Sequence, residues 1–452
     1  MAKRRRSFVC RECGAQHAAW TGRCPSCRAW ASVEEVAEAP AERRSVTGSE
    51  AGAVPLASFA VDTTLPTPTG LDEVDRVLGG GLTPGSVTLL GGEPGVGKST
   101  LTLQMATAVA AHGATALLVA GEEAPVQVAA RADRLGPVPE GLLVIDDLTV
   151  DGIISVLEST RPQVAIVDSI QTITLDRIEA GPGSVAQLKA VTERLVHAAK
   201  RLQVSIVLIG HLTKEGSLAG PKVIEHLVDT VLSFGGDRSS ELRYLRALKH
   251  RYGPTTEVGL FEMRSGGLHV LSDPSERFLA DRQPGLPGSV VVATLEGRRP
   301  LLVELQALTS DVAPHRGSTT VQGVDGRRLA MVSAVLDRRV GYPLARHDLY
   351  VSATGGVKLL EPGVDLGLAV AVASSITDRP VAPEVVVCGE VGLGGEVRSV
   401  PQLEARLHEA YRLGFRTAIV PATEVAAPTG MRVESVVGVA DALTAATGSR
   451  AV

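Results

Sequence analysis

Between about residue 66 and residue 271 the chain repeats one pattern, a short near-continuous apolar run followed by a stretch with helical spacing. The runs are GSVTLL, ATALLVAG, GLLVIDD, QVAIVDSI and VSIVLIGHL, and the first helical stretch follows Ser99. Apolar runs of this length between turn residues predict strands buried on both faces, and their alternation with helices predicts a parallel sheet covered on each side. RYLRALKH and EVGLFEMRSGGLHVL then predict antiparallel strands that finish the sheet. Beyond the Pro/Gly stretch RQPGLPG at 282–288 the pattern changes. VVVATLEGRRPLLVELQAL and VVVCGEVGLGGEVRSV read as hairpins, and RRLAMVSAVLDRR and QLEARLHEAYRLG as amphipathic helices, which predicts an α+β unit. Residues 33–60, rich in Ala, Glu, Ser and Pro without a sustained period, read as a linker. The expected organisation is a module over 1–32, the linker 33–60, an α/β domain over 61–281 and an α+β domain over 283–452.

The 452 residues suit about three folding units at roughly 150 residues each. Hydrophobic residues at 44% and charged residues at 21% exclude a chain disordered throughout. With 2 Trp, 5 Tyr and 6 Phe, aromatic stacking is not expected to be the main mode of recognition. The net charge of −5 excludes a protein that coats a polyanion along its whole length, but residues 1–32 carry seven basic side chains against the single acid Glu12. No run reaches the roughly 18 apolar residues of a membrane span, and the polar start lacks the apolar core of a secretion signal. A cytoplasmic protein without membrane contact is expected.

Four of the five cysteines, Cys10, Cys13, Cys24 and Cys27, form C-x2-C-x10-C-x2-C. Two such knuckles supply tetrahedral thiolate coordination, and a reducing cytosol disfavours disulfides, so a structural Zn²⁺ site is expected. Four thiolates close the site and leave no catalytic position. His17, between the knuckles, is read as a surface histidine, and Cys388 as a small buried hydrophobe in the strand VVVCGE.

The strand GSVTLL runs into Gly92-Glu93-Pro94-Gly95-Val96-Gly97-Lys98-Ser99-Thr100, which contains G-x4-G-K-S and precedes a helix. Glycines let backbone N–H groups wrap the phosphates of a nucleotide, and the helix N-terminus adds a favourable dipole. Lys98 is expected to reach the β and γ phosphates of ATP, and Ser99 to hold Mg²⁺. Asp168 ends the strand QVAIVDSI, where a carboxylate would bind Mg²⁺ through water. Glu122 and Glu123 end the strand before GEEAP; Glu122 is the preferred base for water, with Glu123 second. His211, ending VSIVLIGHL, is a candidate γ-phosphate sensor.

These residues resemble the RecA-like ATPases and, more narrowly, the RadA (Sms) family of bacterial DNA repair proteins. The resemblance covers nearly the whole chain: the four-cysteine knuckle, TGLDEVDRVLGGGLTPGS leading into the phosphate loop, the GEE strand end, GHLTKEG, a basic motif at 249–253 and the carboxyl-terminal unit. It implies a RecA-like ATPase core with a zinc module and a Lon-protease-like domain. It also implies a DNA-dependent ATPase of homologous recombination and the DNA damage response, which moves along single-stranded DNA to migrate branches in recombination intermediates. The RecA recombinase is the implied partner, and a homo-oligomeric ring similar to the hexameric DnaB helicase the implied assembly.

The basic motif usually reads KNRFG in that family and here is Lys249-His250-Arg251-Tyr252-Gly253. Lys249 and Arg251, two apart on an extended segment, are expected to point the same way. Their motif resembles the K-x-R of ring helicases, in which both cations reach the neighbouring subunit's γ-phosphate. Residues 283–452 look like the proteolytic domain of Lon, whose Ser nucleophile lies in G-P-S-A-G and is activated by a Lys. Here the stretch is Glu361-Pro362-Gly363-Val364-Asp365, and Glu404 stands in place of the lysine, so peptidase chemistry is expected to be absent. Lys214 and Lys222 flank the Gly-rich KEGSLAGPK and Arg177 begins RIEAGPGS, two loops that could line a channel for DNA. Two other functions compete with the motor: a nucleotide-switched ring that moves nothing, similar to the clock ATPases, and, least favoured, an ATP-dependent protease.

Overall fold

The computed structural model describes residues 6–12, 14–17, 19–37, 65–211, 223–236, 241–311 and 317–447. The chain divides into two compact units between Val270 and Leu271. Among the described residues no helix is long and apolar enough to cross a membrane.

The amino-terminal module is a small antiparallel sheet of β1 (Arg6–Cys10), β2 (Gln16–His17) and β3 (Val33–Ala37), in the order β2-β1-β3. Its core is Cys10, Cys24 and Val33, too little apolar surface to hold a fold by itself.

The α/β domain follows the expected alternation. Helix α1 (Asp72–Leu78) precedes β4 (Val87–Gly92), α2 (Lys98–Ala111), β5 (Ala116–Ala120), α3 (Pro125–Leu135), β6 (Leu142–Ile145), α4 (Val150–Thr160), β7 (Val164–Asp168), α5 (Val185–Leu202), β8 (Ser205–His211), α6 (Val223–Leu227) and β9 (Thr230–Gly235). Strands β10 (Leu242–His250), β11 (Val258–Arg264) and β12 (Gly267–Val270) complete a nine-stranded sheet of order β12-β11-β10-β9-β4-β8-β7-β5-β6. Strands β9 to β6 in that order are parallel, and β10 to β12 are the expected antiparallel extension. Alternate side chains explain the continuous apolar runs, because each strand feeds two cores. Leu90, Leu118 and Ile166 pack on one face with α1 and α2, whereas Leu89, Val119 and Val167 pack on the other with α4 and α5. Thr149 and Ser184 cap α4 and α5 by accepting from Gly152 N and Gln187 N.

The second unit begins earlier than the Pro/Gly stretch suggests. Helix α7 (Pro274–Leu279) belongs to it, because Ser275 Oγ accepts from Leu302 N at 3.1 Å and donates to Glu409 at 2.7 Å, while Arg412 binds Asp273. The expected boundary at 281–283 therefore moves to Val270/Leu271. The unit contains β13 (Ser289–Glu296), β14 (Arg299–Asp311), β15 (Thr319–Gln322), α8 (Gly326–Val335), β16 (His347–Ala353), α9 (Asp365–Thr377), β17 (Val385–Val387), β18 (Glu390–Val391), β19 (Val397–Arg398), α10 (Leu403–Arg412), β20 (Thr417–Pro421), β21 (Arg432–Val436) and α11 (Val439–Thr447). Its main sheet has the order β15-β16-β14-β13-β17-β20-β21.

VVVATLEGRRPLLVELQAL forms the expected hairpin β13–β14. VVVCGEVGLGGEVRSV does not form a single hairpin: β17 joins the main sheet between β13 and β20, and only β18 and β19 pair with each other. The chain leaves the sheet at Gly389, whose N–H donates to Gly363 O and whose C=O accepts from Leu366 N. Helix α9, for which the pattern gave no assignment, is buried from Asp365 to Ser374, and Gly367 lets it lie directly on Val292. Cys388 is buried as expected, and burial pushes its thiol up to about 12.

Gly363, at the place of the peptidase nucleophile, lies under a buried ion pair. The fully buried Arg406 on α10 reaches both carboxylate oxygens of Glu361 at 2.6 and 2.8 Å, and donates to Ala293 O and Pro401 O. A Cβ added at Gly363 would lie 3.1 Å from Arg406 Nη1. Arg406→Ala is expected to lower unfolding free energy by about 3–5 kcal/mol, since it strands Glu361. Arg406→Ala with Glu361→Gln should recover part of that loss. Chemical denaturation of the three proteins checks both statements.

Candidate functional site

The phosphate loop leaves β4 at Gly92 and enters α2 at Lys98. A side chain at Gly92 would overlap the carbonyl oxygen of Phe234, and one at Gly97, where φ is +110°, would place its Cβ 2.5 Å from Met263 Cε. Gly92 is demanded by the close approach of the loop to β9, and Gly97 by its positive φ, since Met263 Cε is the end of a flexible side chain. Arg243 on β10, almost wholly buried, donates from Nε to Val96 O at 3.2 Å and supports the loop from the same side. Lys98 is buried and its ammonium bridges Gly92 O at 2.9 Å and Glu93 O at 3.1 Å. Burial lowers its pKa, opposed by the charges of Asp168 and Glu122.

Strand β5 is not the sheet neighbour of β4; β8 and β7 lie between them. The acids nevertheless meet the loop, because Ala120 pairs with Asp168 in register and Gly121 N donates to Asp168 O at 2.7 Å. Ser99, Glu122, Glu123, Arg131 and Asp168 line one recess with Leu118, Ala120 and Val128. Burial raises the pKa of Asp168, while a hydrogen bond with Ser99 and the charge of Arg131 oppose the rise. A hydroxyl beside a carboxylate is the hard oxygen donor set that Mg²⁺ takes. Glu123 Oε1 lies 2.9 Å from Arg131 Nη1. His211 pairs in register with Gly92, so its strand end stands beside the start of the loop.

The basic motif departs from simple alternation. The β10–β9 register slips between Ala247 and Lys249, and β10 ends at His250, so Arg251 lies beyond the strand. The two cations still converge on one segment. Lys249 Nζ donates to Glu225 O at 2.9 Å and Val228 O at 2.7 Å, closing the carboxyl end of α6, and half-exposed Arg251 pairs with Asp229 at 3.1 Å. Burial, then the charge of Arg251, lowers the pKa of Lys249. His250 points elsewhere, with Nδ1 2.9 Å from Thr230 Oγ1 and Nε2 3.2 Å from Leu78 O. Lys214 and Lys222 lie outside the described residues, and Arg177 is exposed in its loop.

In the amino-terminal module, Cys10, Cys24 and Cys27 bring their sulfurs within 4.8 Å of one another, with Cys10 and Cys27 3.6 Å apart. A tetrahedral centre with Zn–S bonds of about 2.3 Å requires sulfurs about 3.8 Å apart, so the cluster fits. Cys13 lies outside the described residues. His17 is not a detached surface residue: its Nε2 is 3.4 Å from Cys24 Sγ. The Cys27 backbone N–H above all, with His17 and Ser26 contributing, pushes the Cys24 thiol down to about 5, toward the thiolate a metal needs.

Three families match the regions just described. The KaiC ATPase family matches residues 67–275, the rubredoxin metal binding domain residues 8–35, and the Lon protease (S16) C-terminal proteolytic domain residues 347–429. The DNA repair protein RadA of Halalkalibacterium halodurans is 45% identical over 426 residues, spanning 93% of each chain. That of Bacillus subtilis is 42% identical over 457 residues, spanning 99% of this chain and all of its own. The chain belongs to the RadA family of DNA repair proteins. A solved KaiC-like protein from Pyrococcus horikoshii, PH0186, aligns with 46% of the chain at 19% identity and a TM-score of 0.39. Membership of the RadA family accounts for the whole order of parts, metal-binding ribbon, RecA-like ATPase and Lon-like domain, at nearly full length.

Arg131, Asp229 and Arg243 escaped the sequence reading. Arg131 stands on an amphipathic helix, where an arginine reads as solvent-facing, and the other two become significant only through the backbone they meet. For the metal module, metal analysis is expected to find about one zinc per chain. Cys24→Ser should lower that stoichiometry and expose residues 6–37 to protease while the ATPase core stays folded.

Proposed function

We propose that this chain is a DNA-dependent ATPase of homologous recombination and DNA repair, which migrates branches in recombination intermediates by moving along single-stranded DNA. The reading rests on one observation above the others: Ser99, Glu122, Glu123 and Asp168 converge at the end of a phosphate loop. The loop N–H groups and Lys98 bind the phosphates of ATP. Ser99 and Asp168 would hold Mg²⁺, which supplies charge neutralisation at the β and γ phosphates. Glu122 orients water for in-line attack and takes its proton, with Glu123 as the second candidate. Arg251, half-exposed at the end of β10, extends to the γ-phosphate bound by the neighbouring subunit, while Lys249 holds the α6 segment on which Arg251 rests. Hydrolysis then depends on assembly, and a cytoplasmic hexameric ring working beside the RecA recombinase is the assembly that fits this role. The zinc ribbon couples that ring to DNA or a partner.

The match to the KaiC family supports a second reading, a nucleotide-switched ring without movement. Stimulation of hydrolysis by single-stranded DNA separates the two, because a switch has no need of it. A protease is disfavoured, since Gly363 offers no nucleophile and Glu404 no activating amine.

Single-stranded DNA is expected to raise ATP turnover several-fold, and Lys98→Ala to abolish turnover nearly completely with and without DNA. Steady-state phosphate release measures both; DNA-independent turnover would favour the switch. Arg251→Ala should keep ATP binding and lose up to about 10³ in rate. Mixing Arg251→Ala with Lys98→Ala chains should restore some activity, because a mixed interface combines an intact loop with an intact arginine. Mixtures that exchange subunits yet never exceed either parent would remove the trans role.

A further inference from the structure

The recess at the phosphate loop contains a cation that none of the steps above employs. Arg131 lies on α3, eight positions beyond Glu123, and pairs with it at 2.9 Å. Its side chain is only 18% exposed, against 42% for Glu123, and its Nε is buried with no hydrogen-bond partner. An arginine that merely solvates a helix face does not shield its guanidinium in this way, since desolvation costs energy that one partly exposed ion pair offsets poorly. The approach to α3 is itself fixed: Gln127 Oε1 accepts from Ala124 N at 3.1 Å, and Pro125 opens the helix. Arg131 and the two glutamates are therefore carried on one short, rigid corner.

Charge makes that placement consequential. Glu122, Glu123 and Asp168 line the recess together, and an ATP triphosphate would add further negative charge beside them. Lys98 faces the carbonyls of the phosphate loop, so it serves the phosphate side. Arg131 lies on the carboxylate side, 2.9 Å from Glu123.

We propose that Arg131 is a positioning residue of this site: it draws Glu123 into an ion pair, so that activation of water falls to Glu122. The proposal rests on the reading of the recess as an ATP-hydrolysing site. It predicts coupling between Arg131 and Glu123, which a helix anchor would not produce.

The test is a double-mutant cycle on the full chain, followed as ATP turnover. Arg131→Gln is expected to lower kcat about tenfold. In a Glu123→Gln background the same replacement should cost about twofold or less. Arg131→Lys keeps the charge that pairs with Glu123 and should stay within about threefold of the parent, which preserves the test if the Gln variant does not fold. The assignment is overturned if Arg131→Gln turns over normally, if its loss is undiminished in the Glu123→Gln background, or if Arg131→Lys loses as much turnover as Arg131→Gln does. Lys98→Ala examines the underlying reading separately. Normal hydrolysis by that variant discards the ATPase site, whereas its inactivity together with an uncoupled cycle removes only the role of Arg131.

Discussion

The phosphate loop lies so close to the strand beside it that Gly92 admits no side chain, for a Cβ there would meet the carbonyl of Phe234 on β9, while Gly97, with φ at +110°, lies against Met263 on β11. A loop pressed onto a floor takes its shape from the floor, so the floor has to be stiff. Phe234 and Phe261, both fully buried, meet edge to face with ring centres 6.0 Å apart, and Arg243 on the strand between them holds Val96 O. The antiparallel strands appended to the parallel sheet thus act as the support of the nucleotide loop. One of them, β10, also runs on to Lys249 and stops one residue short of Arg251. Arg243, which holds the phosphate loop, and Lys249, which holds the end of α6, therefore lie on one strand, with a register shift between Ala247 and Lys249.

Electrostatics in the recess works against the ionised state of its members and is balanced locally. Burial disfavours the charge of both Lys98 and Asp168. Lys98 is helped by Asp168 and Glu122, and Asp168 by the Ser99 hydroxyl and Arg131. For both groups the opposing charge or hydrogen bond comes from another element: α2, the end of β5, α3 and the end of β7.

The sequence made the sheet legible because parallel strands buried on both faces leave uninterrupted apolar runs, as at Ala116–Ala120 and Val164–Val167. It made the phosphate loop, Asp168 and the glutamate pair legible because each sits at a strand end, where backbone geometry fixes what a side chain can reach. It concealed Arg131 and Arg243, because burial of an arginine is decided by what packs around it, and a single strand or helix does not carry that information. The domain boundary was misplaced for a related reason. Pro and Gly at 282–288 are conspicuous, whereas the docking of α7 depends on Ser275 and Asp273 finding Leu302, Glu409 and Arg412 more than twenty residues away. Helix α9 escaped because a helix apolar on every side has lost the periodicity that would announce it.

In the Lon-like unit the stretch Glu361–Asp365 is bounded by two ion pairs. Glu361 is gripped by Arg406 of α10, and buried Asp365, in the first turn of α9, is gripped through both oxygens by Arg328 of α8 at 2.8 and 2.7 Å. Asp365 also gains from the dipole of the helix it begins. Buried ion pairs of this kind add less net stability than apolar packing of equal volume, because desolvation consumes much of the attraction, but they tolerate few alternative arrangements. Here they tie the start of α9 to α8 on one side and to α10 on the other, with Gly363 enclosed beneath Arg406. The stretch that leads into α9 is thereby a joint between three helices, fixed by directional charge pairs.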